Sequence, residues 1–243
     1  YGDHRDLHLS LRRQRQMCIR DRLLTISNIQ AQEKSYWACM AVTVDNWGQT
    51  PFVDALDNFM NSQVGQLMPY TVTLSEVAFT NGNDSSTHQL CFIGENAASF
   101  ATWGSGPPPS MEGLALFMTI DEYVEFDQIV LGSPLIFDPT NLSNGFTVVW
   151  AMDVSDPATY ANGFVEFNNS TTGTFELHEA IIGAKDGVTH YFVARQSDLG
   201  AWLEAREGVF ASGAVEQFQS VISGSADILF NVGFNLIKSY NTD

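Results

Sequence analysis

The chain has 243 residues, with 28 Asp and Glu against 11 Lys and Arg, a formal net charge of −17. So acidic a chain repels phosphate backbones and anionic lipid, which argues against nucleic-acid and membrane-surface binding. No apolar run approaches the length of a membrane-spanning helix, and the chain is long enough for one large domain or two small ones with an ample core.

Residues 1–22 are unlike the rest. Residues 12–22, RRQRQMCIRDR, read as the translation of a transposase-type sequencing adapter, and residues 1–8, YGDHRDLH, as that of the flow-cell primer that precedes it. The alternative is a basic arm that binds nucleic acid, but such an arm has no reason to follow a library oligonucleotide codon by codon. Without this segment, 5 basic residues face 25 acidic ones, a net charge of −20. Residues 23–31, LLTISNIQA, are short and apolar and end on a small residue. They have the shape of the tail of a secretory signal peptide, which implies a periplasmic or extracellular protein; the alternative is a ragged first strand. Beyond Cys18 there are two cysteines, Cys39 and Cys91. They suit either one disulfide or two buried thiols.

Residues 36–44, YWACMAVTV, read as a buried strand. Thr50 can cap a helix whose first turn admits Pro51, and Phe52, Ala55, Leu56 and Phe59 recur at helical spacing to about Met60. Residues 72–96 alternate apolar and polar on both sides of a Gly/Asn/Asp turn, a β-hairpin. A second helix begins at 97–103, is interrupted by GSGPPPS and resumes over 111–130; Gly132 and Ser133 then lead into a short strand, 134–137. The polar, turn-rich stretch 138–145 separates a first unit, 34–140, from a second, 144–243. There the order restarts: strand 146–154, helix 157–168, hairpin 175–196, a helix from 198 to about 222 and a closing strand 225–230.

Four landmarks recur in the same order. Glu179 falls on Glu76, Thr189-His190 on Thr87-His88, Trp202 on Trp103, and FQSVISGS (218–225) lies without a gap on FDQIVLGS (126–133). Each half is therefore β-α-β-β-α-β, a ferredoxin-like unit of the α+β class. Helices cover one face of each sheet, and two units in one chain can pack the remaining faces together. In this order of elements and internal repetition the chain resembles the dimeric α+β barrel superfamily, with two units fused in tandem. Relatives of that kind include antibiotic-biosynthesis-type monooxygenases, stress-responsive barrel proteins and the haem-binding chlorite dismutase group. The resemblance implies a pseudo-dimeric barrel and a monomer with an internal twofold.

Candidate chemistry rests on Glu76, Glu179, His88 and His190. Glu179 shares a strand face with Phe175, Leu177 and Ile181, and Glu76 with Val72, Leu74 and Ala78. A carboxylate on an apolar face is either a base with a raised pKa or is paired with a histidine or backbone donor. His88 falls across the hairpin from Glu76, and the shorter second loop leaves open whether His190 faces Glu179 in the same way. His178 points to the opposite face, has only Ser75 as its counterpart and ranks lower. Haem, which some such barrels bind through a histidine, is disfavoured because only Lys34, Lys185, Arg195, Arg206 and Lys238 could meet propionates. No cofactor and no metal site are expected. The leading functional expectation is a small-molecule-binding or stress-associated barrel holding a small apolar ligand. The alternative is a cofactor-independent oxygenase-like or isomerase-like enzyme with a buried Glu or His base.

Overall fold

The computed structural model describes residues 34–81, 85–104, 109–171 and 173–242. The adapter-like residues 1–22 and the apolar stretch 23–31 lie outside them. Strand β1 (Tyr36–Val44) leads through α1 (Gln49–Met60) and the one-turn α2 (Gln63–Gln66) to the hairpin β2 (Thr71–Thr80) and β3 (His88–Gly94). Helix α3 (Met111–Tyr123) and β4 (Val124–Ile136) complete the first run. A 3₁₀ turn, Pro139–Ser143, leads into the second: β5 (Phe146–Val154), α4 (Pro157–Ser170), β6 (Thr174–Ile182), β7 (His190–Gln196), α5 (Leu199–Ala211), α6 (Ala214–Ile222) and β8 (Ala226–Tyr240).

Each run forms an antiparallel sheet, in the order β4-β1-β3-β2 and β8-β5-β7-β6. The two sheets do not remain separate layers. Edge strand β2 pairs with β8, and β4 pairs with β6, so a single eight-stranded barrel closes. Closure satisfies the N–H and C=O groups that two open sheets would leave at four edges. The disulfide Cys39–Cys91 joins directly paired positions of β1 and β3.

The two faces of the strands differ in chemistry, and parts of β4, β6 and β8 are exposed. Outward residues pack under the helices: Val42, Val72, Leu74 and Leu90 against Phe52, Leu56 and Phe59 of α1 in the first half. In the second half Met152, Val154 and Leu177 meet Tyr160, Phe164 and Phe167 of α4 and Phe218 and Ile222 of α6. Inward residues are more mixed and surround a cavity whose wall includes Thr73, Ser75, Gln89, Gln128 and Thr147. Side-chain caps start the longer helices: Ser110, Asp156 and Asp198 each accept a backbone N–H three residues on.

Several expected boundaries move. The helix expected over 111–130 ends at Tyr123, and β4 begins at Val124, pairing Val124 with Val44 and Phe126 with Val42. Val124-Glu125-Phe126-Asp127 fits a period of two as well as a helical one, and pairing with β1 decides between them. The ungapped landmark therefore joins unlike structures: residues 126–133 lie in β4, whereas Phe218 and Ile222 are buried on α6. The helix expected from 97 is only a 3₁₀ turn, Ala97–Phe100, capped by Asn96. The helix expected over 198–222 breaks at Gly213, whose φ of 74° suits glycine. The closing strand runs on to Tyr240 because β8 pairs with β5 along its first part and with β2 along its second.

Candidate functional site

The four residues singled out from the sequence meet in pairs. Glu76 is the register partner of His88, and Glu179 of His190. Both pairs sit on the outward, helix-facing side, in phase with Leu74 and Leu177, not in the cavity wall. Glu76 is exposed and accepts from Asn235 Nδ2 at 3.0 Å; Glu179, half-buried, accepts from Ser133 Oγ at 2.8 Å. His88 packs edge-on to Phe52, and His190 against Tyr160. Burial lowers the pKa of each histidine, opposed by the facing glutamate.

The adjacent threonines explain much of this repeated motif. Thr87 N–H donates to Val42 O, while its Oγ1 accepts from Val44 N–H and bonds His88 Nδ1 at 2.8 Å. Thr189 repeats the pattern with Met152 O, Val154 N–H and His190 Nδ1. Each Thr-His pair thus ties the end of a hairpin to the neighbouring strand.

A different cluster occupies the barrel interior. A cavity of about 140 Å³ is lined by His178, Trp37, Tyr191, Arg195, Thr147 and Gln89 among others. Glu176 and His178 are two residues apart on β6, so both point inward. Glu176 is 0% exposed and His178 6%. Arg195 Nε donates to Glu176 Oε1 at 3.0 Å, and its Nη1 donates to Thr147 Oγ1 at 3.2 Å. His178 Nε2 lies 3.0 Å from Glu176 Oε2. Burial pushes the Glu176 pKa up, but the Arg195 guanidinium and His178 outweigh it and hold the carboxyl below its ordinary 4.5. Glu176 is therefore ionised at neutral pH. Burial pushes the Tyr191 phenol up to about 12, so it stays protonated.

Two buried side-chain nitrogens of the residues in this wall have no hydrogen-bond partner among the described residues: His178 Nδ1 and Trp37 Nε1. Their rings are in edge contact, centroids 5.9 Å apart. Trp37 also meets Tyr191, at 5.7 Å, and Phe137 meets His178, also at 5.7 Å. Leaving a buried N–H or ring nitrogen unpaired costs about 1–3 kcal/mol. Both nitrogens are shielded from solvent as well as unpaired. Glu176 escaped the sequence reading, and the signal that could have found it is the Glu-x-His spacing, which puts two titratable groups on one strand face.

No protein family and no curated protein matches the sequence. Solved structures do match by shape. A candidate monooxygenase from Fusobacterium nucleatum subsp. nucleatum is 14% identical, with a TM-score of 0.57 over 86% of this chain and 95% of that one. A candidate monooxygenase from Lactobacillus acidophilus is 8% identical, with a TM-score of 0.56 over 86% and 97%. A haem-binding protein from Thermus thermophilus is 6% identical, with a TM-score of 0.51 over 85% and 92%. The last corrects the expectation that no cofactor belongs here: a protein of this fold binds haem. In this chain the donor chemistry is present, as the unpartnered His178 nitrogen. The room is not, because a cavity of about 140 Å³ matches the roughly 150 Å³ that admits one benzene ring, and a porphyrin is several times larger. The chain has the fold of the dimeric α+β barrels, with both ferredoxin-like units supplied by one polypeptide.

Proposed function

We propose that the barrel interior is a reaction site for a small organic molecule, with His178 as the base of an oxygenase-like enzyme. One observation carries this reading: a buried imidazole in a cavity wall, with one nitrogen held by an ionised carboxylate and the other unpartnered. A carboxylate on Nε2 favours the tautomer with its proton there, leaving the Nδ1 lone pair to accept a proton. Glu176 then stabilises the imidazolium that forms, and Arg195 keeps Glu176 ionised throughout. A substrate stripped of an acidic O–H or C–H proton is electron-rich, the form that reacts with dioxygen. The likeness to candidate monooxygenases accords with that chemistry.

Oxygen uptake with a panel of small phenols and 1,3-dicarbonyl compounds tests the reading. His178→Gln should lower kcat by about 10²–10⁴, the usual contribution of a general base. Uptake unchanged in that variant would refute it. We also read the protein as a monomer, since the β2·β8 and β4·β6 seams that would join two separate units lie within one chain.

A further inference from the structure

We infer that the Cys39–Cys91 disulfide is a thiol–disulfide exchange site of the barrel interior, open through the cavity to small thiols and closed to large ones. This goes beyond the proposed function: it shares the cavity but needs neither His178 nor dioxygen. Three observations carry it.

The first is placement. Cys39 and Cys91 are register partners on β1 and β3, and both line the cavity. So do their neighbours on the same side of the sheet: Trp37 and Ala41 along β1, Gln89 and Ile93 along β3, and Val130 and Thr73 on the adjoining strands. The residues that alternate with them, Met40, Leu90 and Phe92, pack outward under the helices. The bridge therefore sits within the inner wall of the first half, with its sulfurs on the cavity side.

The second is access. A half-cystine has only Cβ and sulfur beyond its backbone, and the backbones of these two residues are flanked by paired strands on either side. Cys39 is nonetheless only half-buried, and Cys91 is 8% exposed. What stays open at these positions is the side of the bridge that faces the cavity.

The third is redundancy. Strands β1 and β3 are in register from Tyr36↔Gly94 to Val42↔His88, and β4 and β2 flank the pair. The ladders hold these strands whether or not the sulfurs are joined, so the bond can open in an intact barrel.

Exchange takes a thiol as co-reactant. A thiolate attacks one sulfur, the Cys39–Cys91 bond breaks, and a mixed disulfide and a cysteine thiolate result. A second thiolate then displaces the remaining cysteine and leaves with the first as their disulfide. Two electrons pass from two thiols to the bridge, and the two thiol protons end on Cys39 and Cys91. A cavity of about 140 Å³ is close to the roughly 150 Å³ that admits benzene, so the thiol must be of that size or smaller.

The test is reduction of the full chain under native conditions by 2-mercaptoethanol and by glutathione, a tripeptide too large for the cavity. New thiols are trapped with iodoacetamide and read at Cys39 and Cys91 by peptide mass spectrometry. High salt screens the charge of protein and reagent, and rates are compared per thiolate, so that access separates the two. 2-Mercaptoethanol should react at least about tenfold faster, at a rate unchanged by urea well below the unfolding transition, and the reduced protein should keep its far-UV circular dichroism. Ala41→Leu, which adds bulk beside Cys39, should slow the reaction; the thiol series stands even if that variant misfolds. Equal rates for the two thiols would overturn the cavity route by showing the bridge open to bulk solvent, as would an undiminished rate in a folded Ala41→Leu. Labelling that appears only on unfolding, or a barrel that loses its circular dichroism on reduction, would overturn the exchange site and leave a structural staple. Exchange as expected with no oxygen uptake would leave this site standing and remove the enzyme reading alone.

Discussion

Glu176→Gln perturbs the interior with the least change of shape. In the native barrel the carboxylate is 0% exposed and receives Arg195 Nε and His178 Nε2, each at 3.0 Å. Removing one partner of a buried ion pair costs about 3–5 kcal/mol, since the other charge stays buried without compensation. Arg195 retains a side-chain exposure of 18%, and a glutamine oxygen can still accept from it, so the lower end applies, about 3 kcal/mol. For a chain of this size that is a fall in Tm of about 6–12 °C. The effect should also depend on pH. The folded pKa of Glu176 lies below its ordinary 4.5, so its stabilisation is fully present above that value and is lost as pH falls through the folded pKa. The gap between native protein and variant, followed by circular dichroism, should therefore be widest near pH 7 and narrow on acidification below about 4.5. Adding Arg195→Met removes the orphaned guanidinium, so the double variant should melt above Glu176→Gln alone. A gap under about 0.5 kcal/mol at pH 7, or one that does not change with pH, would refute the claim that this carboxylate is ionised and paired.

Gly132 lies across from Trp37 on β4, and a Cβ there would overlap both the indole ring and the Glu179 carbonyl. Gly132→Ala should displace Trp37, costing about 1–3 kcal/mol in stability; a variant that melts with the native protein and keeps its tryptophan fluorescence would show that the indole position is not set from β4. Sedimentation equilibrium should return the mass of one chain at micromolar concentration, and a dimer mass there would refute the monomer reading.

The fold was legible because its signals are local. Strand 36–44, the helix through Phe52, Leu56 and Phe59, and both hairpins are where periodicity puts them. Two of the misplaced boundaries, at 124 and 213, are where one stretch satisfies two periods or where a glycine interrupts a helical pattern. The site was harder to see for a reason particular to barrels. Alternation identifies the more apolar side of a strand, and here that side meets the helices. Glu76 and Glu179 stand out on it because they are polar among Val72, Leu74, Phe175 and Leu177. The interior side of the same strands carries Thr73, Ser75, Glu176 and His178, which reads as a solvated face until closure of the barrel buries it. Closure depends on β2 meeting β8 and β4 meeting β6, pairings between distant strands that no local pattern announces.

Internal repetition was the strongest signal in the sequence, and what it marks can be read by comparing the halves position by position. Glu76 and Glu179, Thr87 and Thr189, His88 and His190 are alike in both copies, and in both they tie a hairpin to its neighbour. The interior positions are not alike. With Glu179 set on Glu76, Glu176 falls on Thr73 and His178 on Ser75; with Thr189 set on Thr87, Arg195 falls on Ile93. Strand β5 set on β1 places Thr147 where the first half has Trp37. The second half thus supplies the carboxylate, imidazole and guanidinium, and the first supplies the indole that touches the imidazole. A closed barrel needs the same hairpin ends twice, but a single interior needs one donor and one acceptor, each once. On that argument repetition in this chain reports architecture, and the places where it fails are where chemistry should be sought.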